Sequence, residues 1–164
     1  MASAAAAAIM AVAGCESFGP NEAPANAEAS AVRQASPNSA EDALLFGAIK
    51  DPRLPSGACG MVLWTLDEQS PKPVFKYVSG ETAEAFVSGD LTKFTLVDAS
   101  GGARFGVPAR QSFVSADGKR ADVRVAFGLG FDGGVYVERA VITMEDSSGW
   151  RTVTPAAGLA GCRG

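Results

Sequence analysis

From Gly57 to Gly164, short runs of β-branched and aromatic residues alternate with clusters of Gly, Pro, Asp and Ser. Runs of this kind read as strands and the clusters as their connections. Strands are expected at 59–66, 74–79, 82–87, 91–97, 104–107, 112–115, 121–127, 135–144 and 150–154. The expected turns are Ser88-Gly89-Asp90, Ser100-Gly101-Gly102, Ala116-Asp117-Gly118-Lys119 and Asp146-Ser147-Ser148-Gly149. Ala121, Val123, Val125 and Phe127 alternate with Asp122, Arg124 and Ala126, so one face of that strand is buried and the other wet. Eight to nine short strands with tight connections imply an all-β fold, a small antiparallel β-sandwich or closed barrel. No internal repeat is visible. One short N-terminal helix is expected over 39–49. Ser39 can cap it with Asp42 three residues on, Leu45 and Ile49 share a face, and Lys50-Asp51-Pro52 ends it. Residues 39–164 read as a single β-rich domain, and 47% hydrophobic with 20% charged residues is ordinary composition for one.

The stretch before this domain has a different character. Residues 1–14 are mostly alanine with Ile9, Met10 and Val12, and end in Val12-Ala13-Gly14 before Cys15. A short apolar stretch closing on small residues reads as an export signal, because a peptidase groove must accept the extended backbone there. The tetrapeptide Val12-Ala13-Gly14-Cys15 resembles the lipobox of bacterial lipoproteins, although the first basic residue is Arg33 rather than one near the start. The resemblance implies that the Cys15 thiol receives a diacylglycerol and that cleavage makes Cys15 the first residue of the mature chain. It implies a protein of the cell envelope, held in the membrane by an N-terminal lipid, at the outer membrane facing the periplasm. Residues 15–38 then comprise the lipidated cysteine and a tether. Rich in Ala, Asn, Glu, Ser and Pro, they lack the apolar surface to offset the entropy of ordering, so disorder is expected. A flexible chain of that length reaches roughly 27 Å.

The chain has three cysteines. With Cys15 assigned to the lipid, Cys59 and Cys162 remain, at the start of the first strand and just past the last. An oxidising compartment permits a disulfide between them that joins the ends of the domain. The alternative is a pair of unrelated buried cysteines.

Several activities are excluded or disfavoured. There is no histidine, which removes Ser-His-Asp and Cys-His catalysis and His-ligated metals. A net charge of −4 argues against a nucleic-acid partner. No uninterrupted apolar run is long enough to span a bilayer. Gly128-Leu129-Gly130-Phe131-Asp132-Gly133 fits G-x-G-x-x-G, but the residues that follow read as a strand where a dinucleotide site needs a helix. These glycines read as a hairpin connection. No phosphate-binding P-loop or calcium-loop spacing is present, so no cofactor and no metal is expected.

The remaining candidates are weighed against plainer readings. Asp98, Asp117, Asp132 and Glu138 could supply the paired carboxylates of a glycoside hydrolase, but read as solvated turn residues. Trp64 and Trp150 could form a ligand platform and read instead as core, an ambiguity that Phe131 and Tyr136 share. Arg110, Lys119, Arg120 and Arg124 could form a contact patch around one hairpin or simply a solvated face.

Two family resemblances bear on function. Ser100-Gly101-Gly102-Ala103-Arg104-Phe105 and Asp117-Gly118-Lys119-Arg120-Ala121 are similar to the S-G-x-x-Y and K-G-x-x-A motifs of membrane-bound lipoprotein inhibitors of c-type lysozyme. The first has one extra residue and Phe for Tyr, and the second has Asp117 where the family has lysine. This implies a lipid-anchored β-barrel closed by a disulfide, with Ser100, and Lys119 in place of the motif lysine, reaching a partner's cleft; Arg120 adjoins them. The stretches Ser56-Gly57-Ala58-Cys59-Gly60 to Leu63-Trp64, Phe127 to Gly134, and Gly149-Trp150 to Cys162 resemble a group of small bacterial envelope proteins to which no activity attaches. The expectation is therefore a lipid-anchored envelope lipoprotein, not an enzyme. Its β domain binds an envelope protein partner, with inhibition of a wall-degrading enzyme as one form of that binding. The alternative is a structural or accessory subunit of an outer-membrane assembly.

Overall fold

The computed structural model describes residues 45–164 apart from Glu68 and Glu81, and these residues form an all-β domain. Nine strands follow in order: β1 (Phe46–Gly47), β2 (Cys59–Thr65), β3 (Pro73–Val78), β4 (Thr82–Val87), β5 (Asp90–Arg104), β6 (Val107–Ser115), β7 (Arg120–Phe131), β8 (Gly134–Glu145) and β9 (Arg151–Cys162). The expected choice between sandwich and barrel resolves to a barrel. From β2 to β9 each strand pairs antiparallel with the next, and β9 returns to pair with β2. This is an eight-stranded up-and-down barrel, in which closure pairs the strands on both sides. β1 lies outside the ring and continues the β3-facing edge of β4, with Phe46 opposite Val87.

Alternation decides what fills the ring. Met61 and Leu63 of β2, Phe75 and Tyr77 of β3, Phe113 of β6 and Ile142 of β8 are each no more than 1% exposed. The Phe113 ring meets those of Phe75 and Tyr77 edge to face, with centroids 5.5 and 5.4 Å away. The expected alternation in β7 is present: Ala121, Val123 and Val125 are buried, while Asp122 and Arg124 are exposed. The interior is thus a side-chain core.

Four expectations need correction. The helix expected over 39–49 is not formed in its described part. Leu45–Ile49 contains β1, held by backbone bonds from Ser88 N–H to the Leu45 carbonyl and from Ile49 N–H to the Pro73 carbonyl. Tertiary pairing overrides the capping and periodicity signals there. Residues 39–44, the signal, the Cys15 lipidation site and the tether lie outside the described residues. Ser100-Gly101-Gly102 is a bulge within β5, not a turn. The strand expected at 104–107 is instead the β5–β6 reversal, at Phe105-Gly106, where both residues have positive φ (51° and 72°), as a tight hairpin turn requires. Finally, β9 runs on to Cys162, well past the expected 150–154.

Candidate functional site

Since side chains fill the interior, the candidate binding surfaces are those of the outer wall. An apolar stretch of wall is built by β2, β9 and the start of β8. Val62, Leu159 and Tyr136 occupy one cross-strand row, and Trp64 stands opposite Ala157 in the next. Directly opposed residues share a face. Leu159 is 39% and Tyr136 51% exposed. Phe131, at the end of β7, folds over Gly134, where a Cβ would come within 2.4 Å of its Cζ. Its ring lies 5.0 Å from that of Tyr136. Glycine at position 134 thus lets the hairpin lay an aromatic ring against the wall.

The result is a groove of about 410 Å³ with Val62, Trp64, Leu159 and Phe131 on its floor and walls. A second groove of about 500 Å³ continues along the wall past Trp64 and Leu159 to Leu66. The segment before β2 forms one bank, where Leu54 approaches Gly60 and its carbonyl accepts a bond from Arg163 Nη1 at 2.8 Å. Arg53, Arg163 and Asp132 supply the charge of the rim. Arg53 donates to Asp51 through Nε at 2.8 Å and Nη2 at 3.2 Å, which holds that carboxyl well below its ordinary value, at about 2.

The structure corrects the reading of Trp64 and Trp150 as core. Trp64 faces outward between the inward Leu63 and Thr65, and Trp150 is 52% exposed beside the β8–β9 turn. Phe131 and Tyr136 are likewise surface residues. The groove's remaining members, Leu159, Val62 and Leu54, were not singled out from sequence. The available signal was Trp64 and Val62 two apart in β2, on the face opposite Met61 and Leu63.

Cys59 and Cys162 form the disulfide. Ser100 stands opposite Arg110 on β5–β6, whereas Lys119 and Arg120 lie beyond Ser115 at the β6–β7 turn. About five residues of β6, roughly 17 Å of strand, separate the two places. The basic group anticipated around one hairpin divides in the same way, with Arg110 opposite Arg124 and Lys119 with Arg120 at the far end. Lys119 is ion-paired with Asp117.

The four candidate carboxylates are scattered. Asp98 lies opposite Ser112, Asp117 in the β6–β7 turn, Asp132 in the β7–β8 turn, and Glu138 against Gly128. Among the described lining residues, Asp132 is the sole acid on the aromatic groove, so no second carboxylate stands across it. Lys119 and the Ser115 hydroxyl hold the Asp117 carboxyl at about 2. The Ser148 hydroxyl, with backbone N–H groups, lowers that of Asp146. Both shifts favour the carboxylate, the opposite of what a general acid needs. Gly133 takes positive φ (77°) in the β7–β8 turn, as the hairpin reading of the Gly128–Gly133 stretch expects. Comparison with family models, with curated proteins and with solved structures finds no match to this chain.

Proposed function

We propose that this chain is a lipid-anchored, non-enzymatic binding protein of the bacterial cell envelope, and that its barrel docks a protein partner in the Trp64–Leu159–Phe131 groove. The observation that carries the reading is the apolar and aromatic strip on the outer wall of a barrel whose interior is already filled. An exposed apolar patch with a polar rim is the usual signature of a protein-interaction surface. The groove's lining suits a partner with an apolar or aromatic side chain that enters between Trp64, Leu159 and Phe131, followed by a carboxylate that meets Arg163. Trp64 and the Phe131–Tyr136 pair serve as the anchors, since rigid aromatics carry most of the energy in such contacts. The Cys15 lipobox supports the membrane attachment, and inhibition of a wall-degrading enzyme is one form the binding takes. An accessory subunit of an outer-membrane assembly would use the same groove, because closure leaves β2–β9 without a long free edge.

The test is in-cell photo-crosslinking from position 159, followed by purification of the full-length protein and mass spectrometry. A single envelope protein is expected, linked through an apolar–acidic segment and lost when Trp64→Ala is introduced. Recovery of lipid and bulk outer-membrane proteins alone would overturn the proposal. Globomycin is expected to make the uncleaved precursor accumulate; unchanged processing rejects lipidation at Cys15.

A further inference from the structure

A second region of the wall, on β5–β8, has the opposite chemistry. Arg110 and Arg124 are directly opposed on β6 and β7, and Arg139 on β8 faces Ala126, two residues along from Arg124. The three therefore share the outward face. They line one groove of about 550 Å³ whose floor includes Gly101, Gly102, Ala109, Ala126 and Ala140. An adjoining groove shares Gly102, Ala109 and Val125 with it and adds Arg104. Among the described residues, no carboxylate lines either groove and none of these four arginines is in an ion pair.

Two features separate this cluster from a solvated basic face. Like charges directly opposed across a ladder destabilise it. Elsewhere this sheet avoids the problem, since Arg120 faces Glu145, which also pairs with Arg151, and Lys76 pairs with Glu84. In a chain of net charge −4, Arg110 opposite Arg124 is an uncompensated exception. The second feature is the backbone. Register shifts occur at Ser100/Ala103 in β5, Ala126/Phe127 in β7 and, in the pairing with β9, Val137/Ala140 in β8, all beside this groove. Bulges bend strands locally and concentrate beside functional sites. Here they coincide with small residues, so the arginines surround a hollow.

We propose that this groove binds a phosphoryl group, free or carried on a lipid headgroup, through Arg110, Arg124 and Arg139, with the Ser100 hydroxyl opposite Arg110 as a further donor. Guanidinium forks match phosphate oxygens in pairs, and a tetrahedral dianion can engage several forks at once where a carboxylate engages one. The site shares no lining residue with the aromatic groove and stands whether or not that groove docks a protein.

The test uses the full-length chain carrying Cys15→Ser, so that no acyl chain contributes. Pyrophosphate is titrated calorimetrically at low ionic strength, and flotation is measured with phosphatidylglycerol and phosphatidylcholine vesicles. Binding is expected to weaken about tenfold in Arg110→Gln and in Arg124→Gln, with both variants melting no lower than the parent, and to be unchanged in Arg151→Gln. Pyrophosphate binding without flotation identifies a soluble phosphate ester; flotation on phosphatidylglycerol alone identifies a lipid headgroup. Absence of both, equal weakening by Arg151→Gln, or equal affinity for a glutamate peptide of matched charge overturns the proposal.

Discussion

Cys59 and Cys162 face each other as the terminal pair of the β2–β9 ladder, 103 residues apart in the chain, where the first and last barrel strands meet. Their disulfide ties the seam that closes the ring, so it restricts the unfolded chain over nearly the whole domain. The double variant Cys59→Ser/Cys162→Ser is expected to lose about 2–5 kcal/mol, measured by urea unfolding under matched conditions. Thiol labelling of the unfolded, unreduced protein should modify neither cysteine. Labelling of both would contradict the bridge.

The same seam depends on a glycine. A Cβ at Gly158 would lie 2.1 Å from the Val62 carbonyl oxygen and 3.0 Å from the Leu63 Cα, both backbone atoms of the partner strand. Backbone cannot rotate aside as a side chain can, so β2 and β9 would have to separate. Gly158→Ala is expected to cost on the order of 3 kcal/mol. Gly80→Ala provides the contrast. No atom lies within 4 Å of its Cβ position, and its cost arises from its positive φ of 75° alone. Equal Tm values for parent and Gly158→Ala would count against the close approach.

How far the fold could be read in advance depended on which interactions set each element. β7 was legible because its own residues alternate. β9 was not, because Ala156-Ala157-Gly158-Leu159-Ala160-Gly161 has little strand propensity. It is a strand because β2 and β8 pair with it on either side, and the small residues allow the close contact just described. Pro155 sits where the β2 ladder has ended, so one edge of β9 has no strand there to receive an N–H. Gly101-Gly102 could be read as a turn or as a bulge, since both need the same freedom; β6 running on past it decides for the bulge. Of the binding surfaces, individual arginines and aromatics were visible. Their grouping follows from register, and no local pattern reveals that Arg110 faces Arg124.

The Asp117 carboxyl sits at about 2 because Lys119 and the Ser115 hydroxyl both stabilise its charged form. A carboxyl whose pKa is lowered on folding contributes stability that is fully present above its ordinary value, near 4. That contribution is lost as pH falls through about 2. Asp117→Asn is therefore expected to be slightly less stable than the parent at pH 7, by less than about 1 kcal/mol for so exposed a pair. The two urea midpoints should converge as pH approaches 2. A constant gap across that range would show that the residue acts through turn geometry instead.

Trp150 offers a check on the surface assignment of the tryptophans. Its backbone N–H donates to Asp146 Oδ1 at 3.0 Å, and its carbonyl accepts from the Asp146 N–H at 3.0 Å. Trp150 thus contributes to the turn through its main-chain atoms while its ring is exposed. Trp150→Ala is expected to change stability by no more than about 0.5 kcal/mol. A core tryptophan would lose about 3–5 kcal/mol on the same substitution. Thermal unfolding of the single variant distinguishes the two.

The opposed arginines make an unusual prediction about stability. Replacing Arg124 by glutamate removes a like-charge pair and places a carboxylate opposite Arg110. Cross-strand pairs of opposite charge contribute roughly 0.2–1 kcal/mol, and like pairs are unfavourable. Arg124→Glu is therefore expected to raise stability by about 0.5–1 kcal/mol at low salt, and the gain should shrink as ionic strength screens it. Most substitutions destabilise, so a stabilising one at an exposed strand position marks a place where stability was given up for function. The same variant should lose phosphoryl binding. A salt series of urea midpoints for Arg124→Glu and Arg124→Gln separates the two effects. Relief of repulsion appears in both variants, and the new attraction appears in the glutamate alone. If neither midpoint rises at low salt, the opposed guanidinium groups are not in energetic conflict, and the charge argument for the groove fails with them.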